Sequence, residues 1–392
     1  VDIKELVALT FTNKAANELK IRLREQLQAF LALDLTCPPT TPPGEDLYRK
    51  LAAIMARYGL SKAQIDERAG NALRDLEKAQ IGTIHSFAAH LLRLYPLEAG
   101  VDPDFKEDDG GQFNQLFKKE WMLWLDQELG ERTEHKELWK EILRQYGLEQ
   151  LEELAQSLCN PCNPLQALQE SLTTADMQSH IRQWLQDLDT KASKLLEKHP
   201  KQVIIRQMLI CAQRTIREVL HHGIAHTKNL LEEEETLDRQ IPSNIPKGWS
   251  AEEHQEAKEV IQVAKCLFQL DHKLLSRCFE LLLPFVIQFQ QRFLQYGFIS
   301  FDGLLVRACN LLKGNSRVRE SLKKKYKAIL VDEFQDTDPI QYEIILYLAE
   351  KLGHQARHWR SIKLAPGKLF IVGDPKQSIY SFRRADIDAY HR

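Results

Sequence analysis

Ile329-Leu330-Val331-Asp332-Glu333-Phe334-Gln335-Asp336-Thr337 runs from apolar residues straight into two adjacent carboxylates. With Ala328 in front, this short apolar run bounded by polar residues reads as a buried strand of a parallel sheet. Two acids at the carboxyl end of such a strand stand where open α/β sheets bind ligands. There they suit a Mg2+-nucleotide, one carboxylate holding the metal's water shell and the next orienting or deprotonating an attacking water. The plainer alternative is an exposed acidic turn, since acids commonly open helices and favour the dipole there. Asp338-Pro339 and the helical apolar spacing from Ile340 to Leu352 extend the stretch into a strand–turn–helix unit.

Three further stretches share that strand-edge character. Leu6 to Thr10 is a compact strand, and Thr12 or Asn13 caps a helix with Leu19, Leu23 and Leu27 on one face. Hydroxyls and helix-start N–H groups at such an edge suit a phosphate, and Phe11 suits a base; the alternative is a capped helix with Phe11 buried. Ile81-Gly82-Thr83-Ile84-His85-Ser86-Phe87 is a short strand entering a helix, where a lone His is ordinarily packed or capping. From Leu369 to Asp386, a strand expected to be buried ends at Gly373, and a polar turn carries Gln377. Tyr380 and Phe382 then lie two residues apart beside Arg383 and Arg384. Rings interleaved with arginine suit single-stranded nucleic acid, where a stacked base contributes about 1–3 kcal/mol. A core Tyr and Phe beside surface charges is the alternative.

Asp332-Glu333-Phe334-Gln335-Asp336 resembles motif II, the Walker B element, of UvrD/Rep/PcrA-type superfamily 1 helicases. Leu6 to Lys20 is similar to their motif Ia, Gly82 to Phe87 to motif Ic, and Gly373 to Asp386 to motif III. The resemblance implies an α/β fold: a RecA-like parallel sheet flanked by helices, of P-loop NTPase type, in an ATP-driven DNA helicase or translocase of repair or recombination. It implies ATP and Mg2+ as cofactors, with Asp332 holding Mg2+ through water and Glu333 activating the attacking water. Gln335 and Gln377 would couple the γ-phosphate to the DNA, and Phe11, Thr12, Thr83, His85, Tyr380, Phe382 and Arg383 would line the single strand. Phe87 is expected in the core. Tyr296 to Leu305 resembles the aspartate-containing element before motif II, but Ser300 and Gly303 replace two usual acids, so only Asp302 carries over. Phe382 stands where many members have Trp, and Arg384 where most have Gly. Asp374-Pro375-Lys376-Gln377 and an enlarged helical insertion lean toward the RecB/AddA recombination branch, which implies an attached exodeoxyribonuclease and a RecC/AddB-like partner subunit. A catalytically inactive subunit that binds DNA or a partner is the alternative. The intact Asp332, Glu333 and Gln377 speak against it, and an unrelated kinase or GTPase has no use for the ring-and-arginine string.

The remainder of the chain bounds these readings. At 392 residues, 43% hydrophobic and 28% charged, it has room for two or three ordinary globular domains. A net charge of −2 gives no global basic field, so any contact with DNA comes from local patches. Seven scattered cysteines point to a reducing compartment, by default the cytoplasm, and Cys159-Asn160-Pro161-Cys162 lacks the second pair a zinc site needs, so it reads as helix-end packing. No apolar run is long enough to cross a membrane. Residues 97 to about 295 show almost no β signal, which divides the chain into a motor domain built from 1–95 and 296–392 and a helical insertion over 96–295. Within that insertion Trp121, Trp124 and Trp139 are expected in a core, and Glu232 to Glu235 on a solvated helix face. Lys323 to Lys327 fits a solvated helix end at least as well as a DNA contact. No Gly-x-x-x-x-Gly-Lys-(Ser/Thr) phosphate loop occurs in the sequence; the resemblance places it before Val1 and a second RecA-like domain after Arg392. Residues 1–392 by themselves are therefore expected to bind ATP weakly and not to hydrolyse it appreciably.

Overall fold

A computed structural model describes residues 1–34, 42–130, 135–163, 165, 168, 179–201, 203–223, 231–269 and 272–374. The chain forms two compact units, one from Val1–Asn114 together with the chain from Arg292 onward, the other from Gln115–Gln291.

The first unit is built on a parallel sheet of β1 (Leu6–Thr10), β2 (Gln80–Thr83), β5 (Ala328–Val331) and β6 (Leu369–Ile371), in the order β2-β1-β5-β6. A second pair, β3 (Lys106–Asp108) with β4 (Phe298–Ser300), is also parallel. β1 is central, and Val7, Ala8, Leu9 and Thr10 are all buried, as a strand covered on both faces requires. On one face Val7, Leu9, Ile329 and Val331 pack with the helices Ile84–Leu94, Phe301–Gly314 and Pro339–Ala349. On the other, Ala8 and Ile81 pack with Leu76 and Ala79, and Leu23 of the helix Asn13–Ala32 lies against them. Three strand-to-helix turns are closed by short polar caps. Thr12 Oγ1 accepts from Ala15 N at 3.1 Å, Thr83 Oγ1 from Ser86 N at 3.3 Å, and Asp338 Oδ1 from Gln341 N at 2.8 Å. These caps fix the points at which the chain leaves the carboxyl edge of the sheet.

Several expectations change. Residues 97–295 do carry a strand, β3, whose three charged residues give no β signal and whose pairing depends on β4 far along the chain. β6 is not buried: Phe370, Ile371 and Val372 are 51%, 43% and 63% exposed, because among the described residues β6 ends the sheet. The helix after Asp338 stops at Ala349 rather than reaching Leu352, because Glu350 turns into an ion network. Lys323 is not solvated either but buried in that same network, and Tyr326 is wholly enclosed.

Glu350, fully buried, accepts from Arg319 Nη2 at 2.5 Å, Lys323 Nζ at 3.3 Å and Ala356 N at 2.9 Å, and pairs with His354 Nδ1 at 2.6 Å. Burial alone would raise the pKa of Glu350, but these partners outweigh it and hold the carboxyl below its usual range. Lys323 Nζ also donates to the carbonyls of Lys351 and His354, tying the helix Ser316–Lys325 to the turn after Ala349.

The second unit is helical throughout its described residues. Leu185, Leu188, Met208, Leu209, Val260 and Ile261 form one core among the helices Ser179–Lys198, Ile204–His222 and Ala251–Gln269. Phe117, Trp121, Trp124, Trp139, Phe285 and Phe289 form a ring cluster, with Trp121 and Trp124 5.1 Å apart and Trp124 and Trp139 5.8 Å apart. The three tryptophans are core, as expected. Glu233 departs from the solvated-face reading: it is buried and pairs with Arg214 at 3.3 Å. Cys159 caps the helix Leu148–Leu158, and burial pushes its thiol pKa up. No described helix is long and apolar enough to cross a membrane.

Lys368 is only 7% exposed, and its Nζ donates to the Lys323 carbonyl at 2.8 Å. Burial, with the Lys323 charge, pulls its pKa from 10.5 to about 8 against the opposing pull of Glu320. Below that value the lysine is protonated in both folded and unfolded states and the desolvation penalty is fully present. Between about 8 and 10.5 the folded state gives up the proton first, and the penalty fades. Lys368→Met should therefore stabilise the protein by about 1–2 kcal/mol at neutral pH, net of its lost hydrogen bond. That gain should shrink across the same window in urea unfolding of wild type and variant over a pH series.

Candidate functional site

The carboxyl ends of β1, β2 and β5 open onto a cavity of about 470 Å3. Thr10 and Phe11 reach it from the end of β1, His85 from the first turn of the helix Ile84–Leu94 after β2, and Asp332 and Glu333 from the end of β5. Phe301 and Asp302, at the start of the helix after β4, close another side, and Asp336, Thr337 and Asp338 complete the wall on the way to Pro339–Ala349.

Glu333 sits at φ 53° and ψ 42°. It is the only non-glycine with positive φ among the described residues, a conformation costing about 1–2 kcal/mol. Its own N–H donates to Asp332 Oδ1 at 3.1 Å, and its Oε2 accepts from Gln335 Nε2 at 2.5 Å. Gln335 is 2% exposed, and its Oε1 accepts from Asp374 N at 3.1 Å. One buried amide thus joins the acid after β5 to the backbone after β6. Gly373 makes that approach possible, since a Cβ there would lie 2.3 Å from Gln335 Oε1 and 3.2 Å from Phe334 N. The two strand exits are also joined directly, Phe334 N donating to Val372 O at 3.1 Å.

His85 and Phe301 have ring centroids 5.6 Å apart. Burial lowers the pKa of His85, against the pull of Asp338 and then Asp302. Burial raises that of Asp338, against the N–H groups of Gln341 and Ile340 and the nearby His85. Among the described residues no group of three or more His, Cys, Asp or Glu is placed to hold a metal ion directly. Asp332 and Glu333 are exposed hard-oxygen donors, a set that fits Mg2+ kept within its water shell.

Of the residues singled out in the sequence, the cavity brings together Phe11, His85, Asp302, Asp332 and Glu333. Phe11 is 37% exposed and not buried beneath a capped helix. Gln335 is buried, Thr12 and Thr83 are helix caps, and none of the three lines the cavity. Phe87 is in the core. Gln377, Tyr380, Phe382 and Arg383 lie outside the described residues. Sequence reasoning missed Phe301, Asp338 and Gly373. Phe301 had a signal, since it follows β4 as Phe11 follows β1, an aromatic between strand and helix. Asp338 had one too, as an acid before a helix-opening proline.

The family described as UvrD/REP helicase N-terminal domain matches residues 1–392. The chain is similar to the RecBCD enzyme subunit RecB of Buchnera aphidicola subsp. Acyrthosiphon pisum, 24% identical over 99% of this chain and 32% of that protein. It is similar to an ATP-dependent helicase/nuclease subunit of Pediococcus pentosaceus, 24% identical over 98% of this chain and 32% of that protein. A RecBCD enzyme subunit RecB of Chlamydia trachomatis serovar D is 26% identical over 99% of this chain and 36% of its own length. The chain thus spans about a third of the length of the curated relatives it matches.

If the Gln335 bridge is built around the missing Cβ at residue 373, Gly373→Ala and Gln335→Ala should not act independently. Each alone should cost about 1–3 kcal/mol in urea unfolding. The double variant should cost less than the two together, with a coupling of at least about 0.5 kcal/mol. Strict additivity would mean that the glycine and the amide serve separate purposes.

Proposed function

Because the chain belongs to the UvrD/REP helicase N-terminal domain family, we propose that the full-length protein is an ATP-dependent helicase or translocase moving on single-stranded DNA in repair or recombination. The observation that carries this reading is the Gln335 amide. It ties Glu333 to the backbone at Asp374, from which the chain continues toward Gln377, Tyr380, Phe382 and Arg383. In this reading residues 1–95 and 296–392 form the motor domain and 96–295 its helical insertion.

ATP with Mg2+, when bound, supplies the phosphoryl group whose transfer to water drives the motor. Asp332 would hold the hydrated Mg2+, and a Glu333 carboxylate oxygen would accept the proton of the attacking water. Protonation of Glu333 removes the negative charge that strengthens its hydrogen bond from Gln335 Nε2, which weakens the link running through that amide to Asp374 N. The proton on Glu333 is thereby read at the backbone that leads to the strand-binding residues. Phe11, Thr12, Thr83 and His85 would meet the strand at the other end of the same sheet edge, with Tyr380, Phe382 and Arg383 continuing the track. An exodeoxyribonuclease elsewhere in the protein, work in the cytoplasm and partnership with a RecC/AddB-like subunit belong to the same proposal. The likeness to RecB and to helicase/nuclease subunits supports them.

In the full-length protein, Glu333→Gln should leave ATP binding intact and lower DNA-stimulated turnover by at least about a hundredfold. Phosphate release alongside equilibrium binding of a labelled ATP analogue checks both halves. Surviving turnover would remove Glu333 from the role of base.

A further inference from the structure

The other edge of the sheet carries the opposite charge. From Lys351 to Gly373 the chain has five Lys or Arg residues and no Asp or Glu, in a protein whose net charge is −2. This segment links the end of the helix Pro339–Ala349 to the start of β6, so it begins and finishes at the amino edge of the sheet. Lys351, Arg357, Arg360 and Lys363 are exposed, as is Arg317 on the helix Ser316–Lys325. Among the described residues none of these five cations pairs with an acid. The nearby acids are already engaged. Glu350 is buried against Arg319 and Lys323, while Glu320 pairs with Lys323 and accepts from Gly353 N at 2.9 Å.

The segment is held in place. Arg319 Nη1 donates to Ala356 O at 2.8 Å, Gln355 Nε2 to Ser316 O at 3.3 Å and Tyr347 Oη to Arg357 O at 3.3 Å. Trp359 packs edge-on against Tyr342, their centroids 5.0 Å apart. Lys351 N donates to Lys363 O at 2.8 Å and Ala365 N to Ala349 O at 2.9 Å, beside the antiparallel bridge of Glu350 with Leu364. Lys351 and Lys363 therefore stand directly opposite one another. Like charges in that relation destabilise a strand pair, and an anion laid across both reverses the sign.

The cations are spread over a surface and do not converge in a pocket, which suits a row of phosphates better than a single one. The cavity at the carboxyl edge lies about 15 Å away, one strand length, so a different stretch of nucleic acid has to reach them. A stiff duplex presents one charge per about 1.7 Å of its axis and needs no ordering to do so. We propose that this basic surface is a second DNA contact, gripping the phosphate backbone of a duplex at the edge of the sheet opposite the cavity. It goes beyond the strand path described above and involves none of its residues.

Full-length protein would be titrated by fluorescence anisotropy across a salt series. One probe is a labelled duplex of about twenty base pairs closed at both ends by tight loops, and the other a dT oligomer of about twelve nucleotides. Joint substitution of Lys351→Gln, Arg357→Gln, Arg360→Gln and Lys363→Gln removes four charges and keeps the backbone bonds of this segment. It should weaken duplex binding about tenfold or more and lower the slope of log affinity against log salt by about two to four. Affinity for dT and the ATPase it stimulates should stay at the wild-type level, which also reports an intact fold. Exchanging Lys for Arg and Arg for Lys at the same four positions should leave duplex binding as in wild type. Unchanged duplex affinity and slope in the neutralised variant would overturn the proposal, as would equal weakening in the charge-keeping one. Polyglutamate bound by wild type and lost on neutralisation, with the duplex unaffected, would assign the surface to an acidic polypeptide instead. In either case dT-stimulated ATPase would leave the motor reading standing.

Discussion

Everything at this sheet edge depends on the parallel pairing of β1 with β5, Leu6 against Ala328 through Leu9 against Val331. The pairing is pinned at both ends. Lys327 N donates to Glu5 O at 2.8 Å on entry, with Lys327 Nζ on Glu5 Oε1 at 2.6 Å, and Asp332 N donates to Leu9 O at 2.9 Å on exit. Such pins matter because β1 is buried on both faces and its own pattern cannot define a register. A slip of one residue in β5 would turn Ile329 and Val331 out of the core and carry Asp332 to the opposite face. With the register held, Thr10–Phe11 and Asp332–Glu333 emerge side by side, although most of the sequence lies between them.

The second constraint is local strain held by its neighbours. A glutamate in the left-handed region is not what its own propensity selects, and a strained backbone persists only where the surroundings over-determine it. Here they do. Phe334 N is bonded to Val372 O, the next side chain but one is a buried Gln bonded in two directions, and Gly373 removes the atom that would collide with that Gln. Relaxing Glu333 would break the bond to Gln335 and loosen the junction between β5 and β6. Strain at the acid and order at the neighbouring strand exit are therefore a single mechanical arrangement.

Legibility in the sequence followed the range of the interactions involved. β1 and β5 were readable to the residue, because their apolar runs end at polar residues that also end the strand. Thr12 and Thr83 were readable as edge residues because capping is a local bond. Lys323 and Glu233 were not, since a charged residue in a charged run looks solvated until the fold supplies Glu350 for one and Arg214 for the other. β3 was invisible for a similar reason: Lys106, Glu107 and Asp108 become a strand only by pairing with Phe298, Ile299 and Ser300. β6 reads as buried from its apolar residues, but burial needs a neighbour on each side and a layer on each face. At the site, Asp332, Glu333 and Phe11 were legible from strand-end chemistry, and His85 only through the motif resemblance. Phe301 and Gly373 depended on which strand exits the fold would bring together.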